Sequence, residues 1–197
     1  MEYIKFLMEK AKCYSISTIF RLELESLFFG LMSLIPTLVG VFLRGITSKL
    51  FFKQIDGFPW IQPRVTIIHS DRIVAGTRLG VNSETYINGV GGIEFGNNVL
   101  IGSNVTISSG EHPIEGIEPS IFSRVVIPKK IVINDDVWIG AGAVIMPGIT
   151  LAKGSVIGAN AVVTKNTEEY SVNVGVPAKK IRSRRDMSKR NSNPTAI

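Results

Sequence analysis

Along the second half of the chain aliphatic residues return every sixth position. Ile133, Ile139, Ile145, Leu151, Ile157 and Val163 keep one register without a break, and Phe95, Ile101 and Ile107 form an earlier block. A second apolar or small residue often stands two positions ahead, as at Val99, Val105, Val137, Ala143, Ile149 and Ala161. Six is the period of neither a helix nor an ordinary strand. In an extended segment, residues i−2 and i face the same side. Each hexapeptide therefore offers two inward side chains and then a corner, where Gly or Asn accepts unusual backbone angles. Stacked coils of such segments make a prism whose interior is a ladder of aliphatic side chains. Each coil buries its apolar face only against its neighbours, so several coils and capped ends are required.

The register breaks twice. Ile73 and Leu79 keep a step of six, but Phe95 follows with a slip of four, which predicts an irregularity around Thr85 to Gly92. Between Ile107 and Ile133 the step is 26, four hexapeptides plus two, so a loop leaves the prism at about residues 108–130. Loops extruded by a rigid scaffold are where chemistry is commonly found.

The first 60 residues read differently. Ile4, Leu7, Met8, Ala11, Ile19 and Leu22 have roughly helical spacing, which predicts short amphipathic helices over residues 1–25. Ser26 to Leu43 then run 18 residues without a charge, about 27 Å as a straight helix and at the lower edge of a bilayer span. Pro36 breaks the run, and basic residues flank both ends alike, so no orientation follows. A hairpin dipping into the membrane, or an interfacial helix pair with both ends cytoplasmic, is the expectation; a helical cap packed on the prism is the alternative. The chain thus divides into a helical region (residues 1–60), a β-helix (residues 61–170) and a basic segment (residues 171–197).

Charge adds a local feature only. The net charge is +6, and residues 179–197 hold seven basic residues against one acid, so the remainder is balanced. That argues against a nucleic-acid binder and for a local anion contact. One cysteine, Cys13, excludes an internal disulfide. Two histidines and one cysteine without paired spacing do not make a structural zinc site, and no metal is expected.

Three stretches, IEFGNNVLIGSNVTISSGEHP (residues 93–113), INDDVWIGAGAVIMPGITLAKGSVIGANAVVTKN (residues 133–166) and VGVPAKKIR (residues 174–182), resemble the hexapeptide-repeat acyltransferases. The likeness is to their maltose and galactoside O-acetyltransferase branch, and the apolar lead-in resembles members that modify bacterial polysaccharide or lipid-linked sugars. The resemblance implies a mainly β fold, a left-handed parallel β-helix with an N-terminal helical, apolar segment. It also implies acetyl-CoA as co-substrate and a homotrimer with sites between neighbouring prisms.

The same resemblance makes His112, in the extruded loop, the catalytic base. An imidazole near neutral pH suits removal of a hydroxyl proton. Asn88 matches an acceptor-binding asparagine, although the segment after it is shorter and lacks the family's Asp; a plain corner Asn is the other reading. Trp138, Ala141 and Gly142 match donor-side positions, with the N–H of Ala141 or Gly142 available to an oxyanion. Ala159, Thr164 and Lys165 match contacts to the pantetheine arm and nucleotide, and Lys179 and Arg182 match bases near the phosphates. Glu111 and Glu115 are both possible partners of the imidazole, and neither is assigned. His69 reads as a packed or surface residue. Arg184, Arg185, Lys189 and Arg190 read as a solvated tail or a lipid contact.

The expected activity is O-acetylation of a sugar hydroxyl in a surface polysaccharide or lipid-linked glycan, by direct attack, at the cytoplasmic face of the inner membrane. The alternatives are N-acetylation of a nucleotide-linked amino sugar, and a scaffold subunit without catalysis.

Overall fold

The computed structural model describes residues 15–189; the helical spacing at residues 4–11 and Cys13 lie outside them. Five coils each contribute one strand to three parallel faces. Face A holds residues 54–55, 73–75, 93–95, 131–133 and 150–151, and face C holds 66–68, 86–88, 106–108, 144–145 and 162–163. Face B holds 60–61, 80–81, 100–101, 138–139 and 156–157, and runs on through 171–174 and the antiparallel strand 179–183. The winding is left-handed, the expected β-helix.

Ile61, Val81, Ile101, Ile139 and Ile157 stack in register on face B, none more than 1% exposed. The positions two ahead, such as Leu79, Val99 and Val137, are buried with them. A fully buried aliphatic side chain contributes about 1.5–3 kcal/mol, and here each meets its counterpart in the next coil.

One detail of the register differs from the sequence reading. Ala75 pairs with Phe95 and Val81 with Ile101, so Ala75, Val81 and Ile87 occupy the repeating slot and Ile73 and Leu79 stand two positions ahead of it. The slip is two residues and not four, because both slots are apolar and a spacing of six cannot say which is which. The extra residues fall at 69–72 and 89–92, the corner between faces C and A from which residues 109–130 also depart. The other corners turn through left-handed backbone. Arg64, Glu84, Asn104, Gly142 and Asn160 form the column between faces B and C, and Arg78, Asn98, Asp136 and Gly154 that between A and B.

The charge-free run forms neither a span nor a detached hairpin. Helices α1 (Ile16–Ser33) and α2 (Leu38–Phe51) flank Pro36 and lie across the first coil, where Phe29 and Phe52 join the aliphatic core. Among the described residues no helix is long and apolar enough to cross a membrane.

The junction is polar and fully enclosed. Arg44, 1% exposed, donates from Nε to Ile61 O and from Nη1 to Met32 O and Ile35 O, each at 2.8 Å. It thereby adds a charged donor to the carbonyls at the end of α1 and reaches one on the open edge of the first coil. Glu25, equally buried, accepts from Ser70 N at 2.9 Å and from Arg21 Nη2 at 3.1 Å. Lipid cannot surround both helices, since Glu25 and Arg44 face the prism.

Burial pushes the Glu25 carboxyl above its ordinary value, outweighing the Ser70 hydrogen bonds and Arg21, which pull it down. The folded chain then holds this proton more tightly than the unfolded chain, whose value is 4.5. Its contribution to stability is full below that value and falls as pH rises through the folded one. Glu25→Gln keeps an acceptor for Ser70 N and removes the titration. In urea unfolding, the wild type is therefore expected to lose stability relative to Glu25→Gln as pH is raised from about 4 to about 8; parallel profiles would contradict this.

Candidate active site

The loop between Ser108 and Ile131 is a built arm. Gly110–Glu111 pairs antiparallel with Ile127–Pro128, an ion pair joins Glu111 to Lys129, and a short turn occupies Ile121–Ser123. Arg124 is its keystone, 7% exposed. Its guanidinium donates from Nε to Pro119 O (2.8 Å), from Nη1 to Pro113 O (2.9 Å) and Glu115 O (2.8 Å), and from Nη2 to Gly116 O (2.7 Å). Four carbonyls of an irregular segment are thus gathered on one cation. The sequence carries no signal for this beyond a lone base in a stretch with two prolines and a glycine.

His112 sits at the root of this arm, exposed, and among the described residues no hydrogen bond engages its imidazole. Glu111 is committed to Lys129 and the Glu115 carbonyl to Arg124. His112 therefore projects with its ring free from a backbone that is fastened on both sides.

Asn88 ends the face C strand just below. Its Oδ1 accepts from Val90 N at 3.1 Å and its carbonyl from Ser109 N and Oγ, while Ser109 Oγ accepts from Gly91 N. The corner reading of Asn88 thus holds for its oxygen, and the amide NH2 stays available as a donor. Buried Ser109, to which the sequence gives no role, ties this corner to the base of the arm. A cleft of about 490 Å³ opens beside it, lined by Lys53, Arg72, Val90, Glu94, Pro128 and Lys130. His69 occupies the equivalent corner one coil earlier, half-buried, its pKa lowered by burial and by Arg72, in keeping with a packed residue.

The expected donor-side residues lie elsewhere on the prism. Trp138 projects from face B, 51% exposed. Ala141, Gly142 and Ala159 line the edge between faces B and C. The Gly142 N–H is held by Ser103 O at 2.9 Å, leaving Ala141 as the candidate oxyanion donor of the two. Thr164 and Lys165 are exposed at the end of face C, and Lys165 lines a 190 Å³ cleft with Asn166, Glu168 and Lys180. Lys179 and Arg182 stand on the last strand of face B, three strands or roughly 14 Å along the axis from Trp138.

Where it is described, the basic segment is exposed yet tied to the prism. Arg184 reaches Asp136 Oδ2 and Gly154 O at 2.8 Å, and Arg185 pairs with Glu169 and stacks 4.4 Å over Tyr170. The acids and carbonyls of the last coils draw these arginines back onto the prism.

Within one chain Trp138, Lys179 and Arg182 on face B stay apart from the arm, whereas Thr164 and Lys165 stand at the arm's own corner, two coils further along. The arm leaves the corner between C and A, and face B is the side of the triangle opposite that corner.

Two family models match the chain, the bacterial transferase hexapeptide (six repeats) over residues 130–165 and the hexapeptide repeat of succinyl-transferase over residues 73–109. Galactoside O-acetyltransferase of Escherichia coli is 34% identical over 141 residues, covering 72% of this chain and 68% of that protein. A Schizosaccharomyces pombe relative is 34% identical over 70% of this chain, which spans 65% of its length. Among solved structures, a maltose O-acetyltransferase from Clostridium difficile has a TM-score of 0.74 at 28% identity, over 86% of this chain and 89% of that one. A galactoside acetyltransferase in complex with coenzyme A has a TM-score of 0.74 at 25% identity, over 93% and 88%.

Proposed function

This chain belongs to the hexapeptide-repeat acyltransferase family, and from that premise we propose that it transfers the acetyl group of acetyl-CoA to a sugar hydroxyl, with His112 as general base. The acceptor is a sugar of a surface polysaccharide or lipid-linked glycan. The observation that carries this reading is the free imidazole on an arm whose backbone is fastened by Arg124 and the Glu111–Lys129 pair.

The reaction is a direct transfer. His112 removes the acceptor proton as its oxygen bonds to the thioester carbon. The carbonyl oxygen, negative in the tetrahedral intermediate, meets the Ala141 N–H. As the C–S bond breaks, the imidazolium returns its proton to the sulfur, leaving an O-acetyl ester and the CoA thiol. Ala141 and Ala159, one coil apart, offer backbone N–H groups that no described residue uses, suited to the thioester and the amides of the pantetheine arm. Lys165, Lys179 and Arg182 supply positive charge for its phosphates, and the Asn88 amide binds the acceptor.

His112 and the face B donor residues Trp138, Lys179 and Arg182 lie on opposite sides of a single prism, so the site is formed between copies, the His112 arm of one against face B of the next, in a homotrimer. The arm's exposed Ile117 (93%) and Val125 (74%) supply apolar contact for that neighbour. The donor sets the reaction in the cytoplasm.

Incubating the protein with acetyl-CoA and a panel of free sugars, and following thiol release, tests the reading. Acceptor-dependent release is expected. Release that no sugar, oligosaccharide or lipid-linked glycan accelerates would leave only a scaffold.

A further inference from the structure

The helical cap is amphipathic the wrong way round. The side of α2 packed on the prism is Gly40, Val41, Arg44, Gly45, Thr47 and Ser48, mostly small or polar. Its outward side carries Leu38, Val39, Phe42, Ile46 and Leu50, 38–71% exposed, and at 3.6 residues per turn these fall in one arc together with Lys49. Helix α1 adds Ile16, Phe20, Leu27 and Leu31, and its C-cap Leu34, at 54–87% exposure. A helix facing water shows the reverse pattern, and a continuous apolar surface of this kind marks a binding face.

We propose that this end of the prism docks on an anionic lipid bilayer, with α1 and α2 lying in the plane of the interface. Charge selects this occupant. From residue 26 to residue 55 the chain has no acid, while Lys49 and Lys53 are exposed; on α1 the exposed Glu23 stands in the apolar row between Phe20 and Leu27. Lys49 stands inside the apolar arc, where its stem lies on hydrocarbon and its ammonium reaches lipid phosphates. A second copy docked α2 against α2 would set these lysines against each other, since that helix carries no acid to pair them. Phe58, stacked on Phe42 with centroids 5.6 Å apart, and Trp60, 52% exposed, stand at the edge as aromatic residues do at a membrane interface. Burial of Glu25 and Arg44 against the prism keeps the helices on the surface and not across it. The His112 arm leaves the third coil, roughly 10 Å further along the axis than the first. Docking therefore does not depend on the acyltransferase reading, and the two can fail separately.

The test is sedimentation of the full chain with vesicles of phosphatidylcholine and phosphatidylglycerol, or of phosphatidylcholine alone. Wild type is expected to pellet with the anionic vesicles roughly tenfold more strongly than with neutral ones. The variant L31S/L38S/F42S/L50S should stay in solution with an unchanged thermal midpoint and unchanged thiol release on a soluble acceptor. Should that variant misfold, K49E/K53E serves instead, and it should lose the preference for anionic vesicles. Wild type remaining in solution with both vesicle types would overturn the proposal. So would a particle mass that falls on introducing the serines, which makes a second copy the occupant, or vesicle binding that appears only after deletion of residues 1–14, which makes that segment the cover.

Discussion

Replacing His112 by alanine is expected to lower kcat by about 10²- to 10⁴-fold, the range for loss of a general base, and to leave the thermal midpoint where it is. The second half of that expectation rests on exposure: the ring is not part of the core and engages no described residue through a hydrogen bond, so its removal opens no cavity and strands no polar partner. Steady-state thiol release and thermal unfolding on the same preparation check both halves. Retained turnover would remove His112 from the chemistry. A lowered midpoint would show that the imidazole helps to hold the arm.

Arg124→Ala is the complementary experiment. It removes a buried cation that gathers four carbonyls of the arm, and hydrogen bonds to a charged group contribute about 1.5–3 kcal/mol each. The loss stays local, because residues 109–130 lie outside the stacked core. The expected result is an arm that samples many conformations, with kcat/KM lowered by roughly 100-fold, the scale of a misplacement of about 1 Å at a reacting group. The midpoint of the prism should change little, while chymotrypsin should gain access at Phe122. Arg124→Lys, which cannot span four carbonyls from one planar fork, should fall between. Since Arg124 acts by positioning, the activity that remains should keep the pH profile of the wild type. A shifted profile would give Arg124 a direct role in proton transfer.

Much of the architecture was legible because the β-helix is close to one-dimensional. Each hexapeptide meets its like in the next coil, so a local spacing repeats the tertiary packing, and the departure of the arm between Ile107 and Ile133 could be read as a break in a count. What the count missed has the same origin. Ile73 and Ala75 are both inward and apolar, so the phase, and with it the stacked corner at residues 69–72 and 89–92, became visible only through strand pairing. The site was legible in part. His112 and Trp138 stand out by motif, whereas Arg124 and Ser109, like Arg44 in the helical cap, act on backbone carbonyls and amides, partners that leave no pattern of side chains.

The helical lead-in marks the boundary between the two sources. Composition alone determined that residues 26–43 are apolar and uncharged, that the basic excess is local, and that the repeat needs several coils. Only the tertiary structure decided which side of each helix meets the prism. Glu25 and Arg44 turn inward because the first coil presents an unpaired amide and carbonyl to receive them, which leaves the bulky apolar side facing out. Likewise, a period of six makes a triangle, but only the assembled coils set the arm on the corner opposite face B, because a break in the count says where a loop leaves the chain and not which face it stands across from.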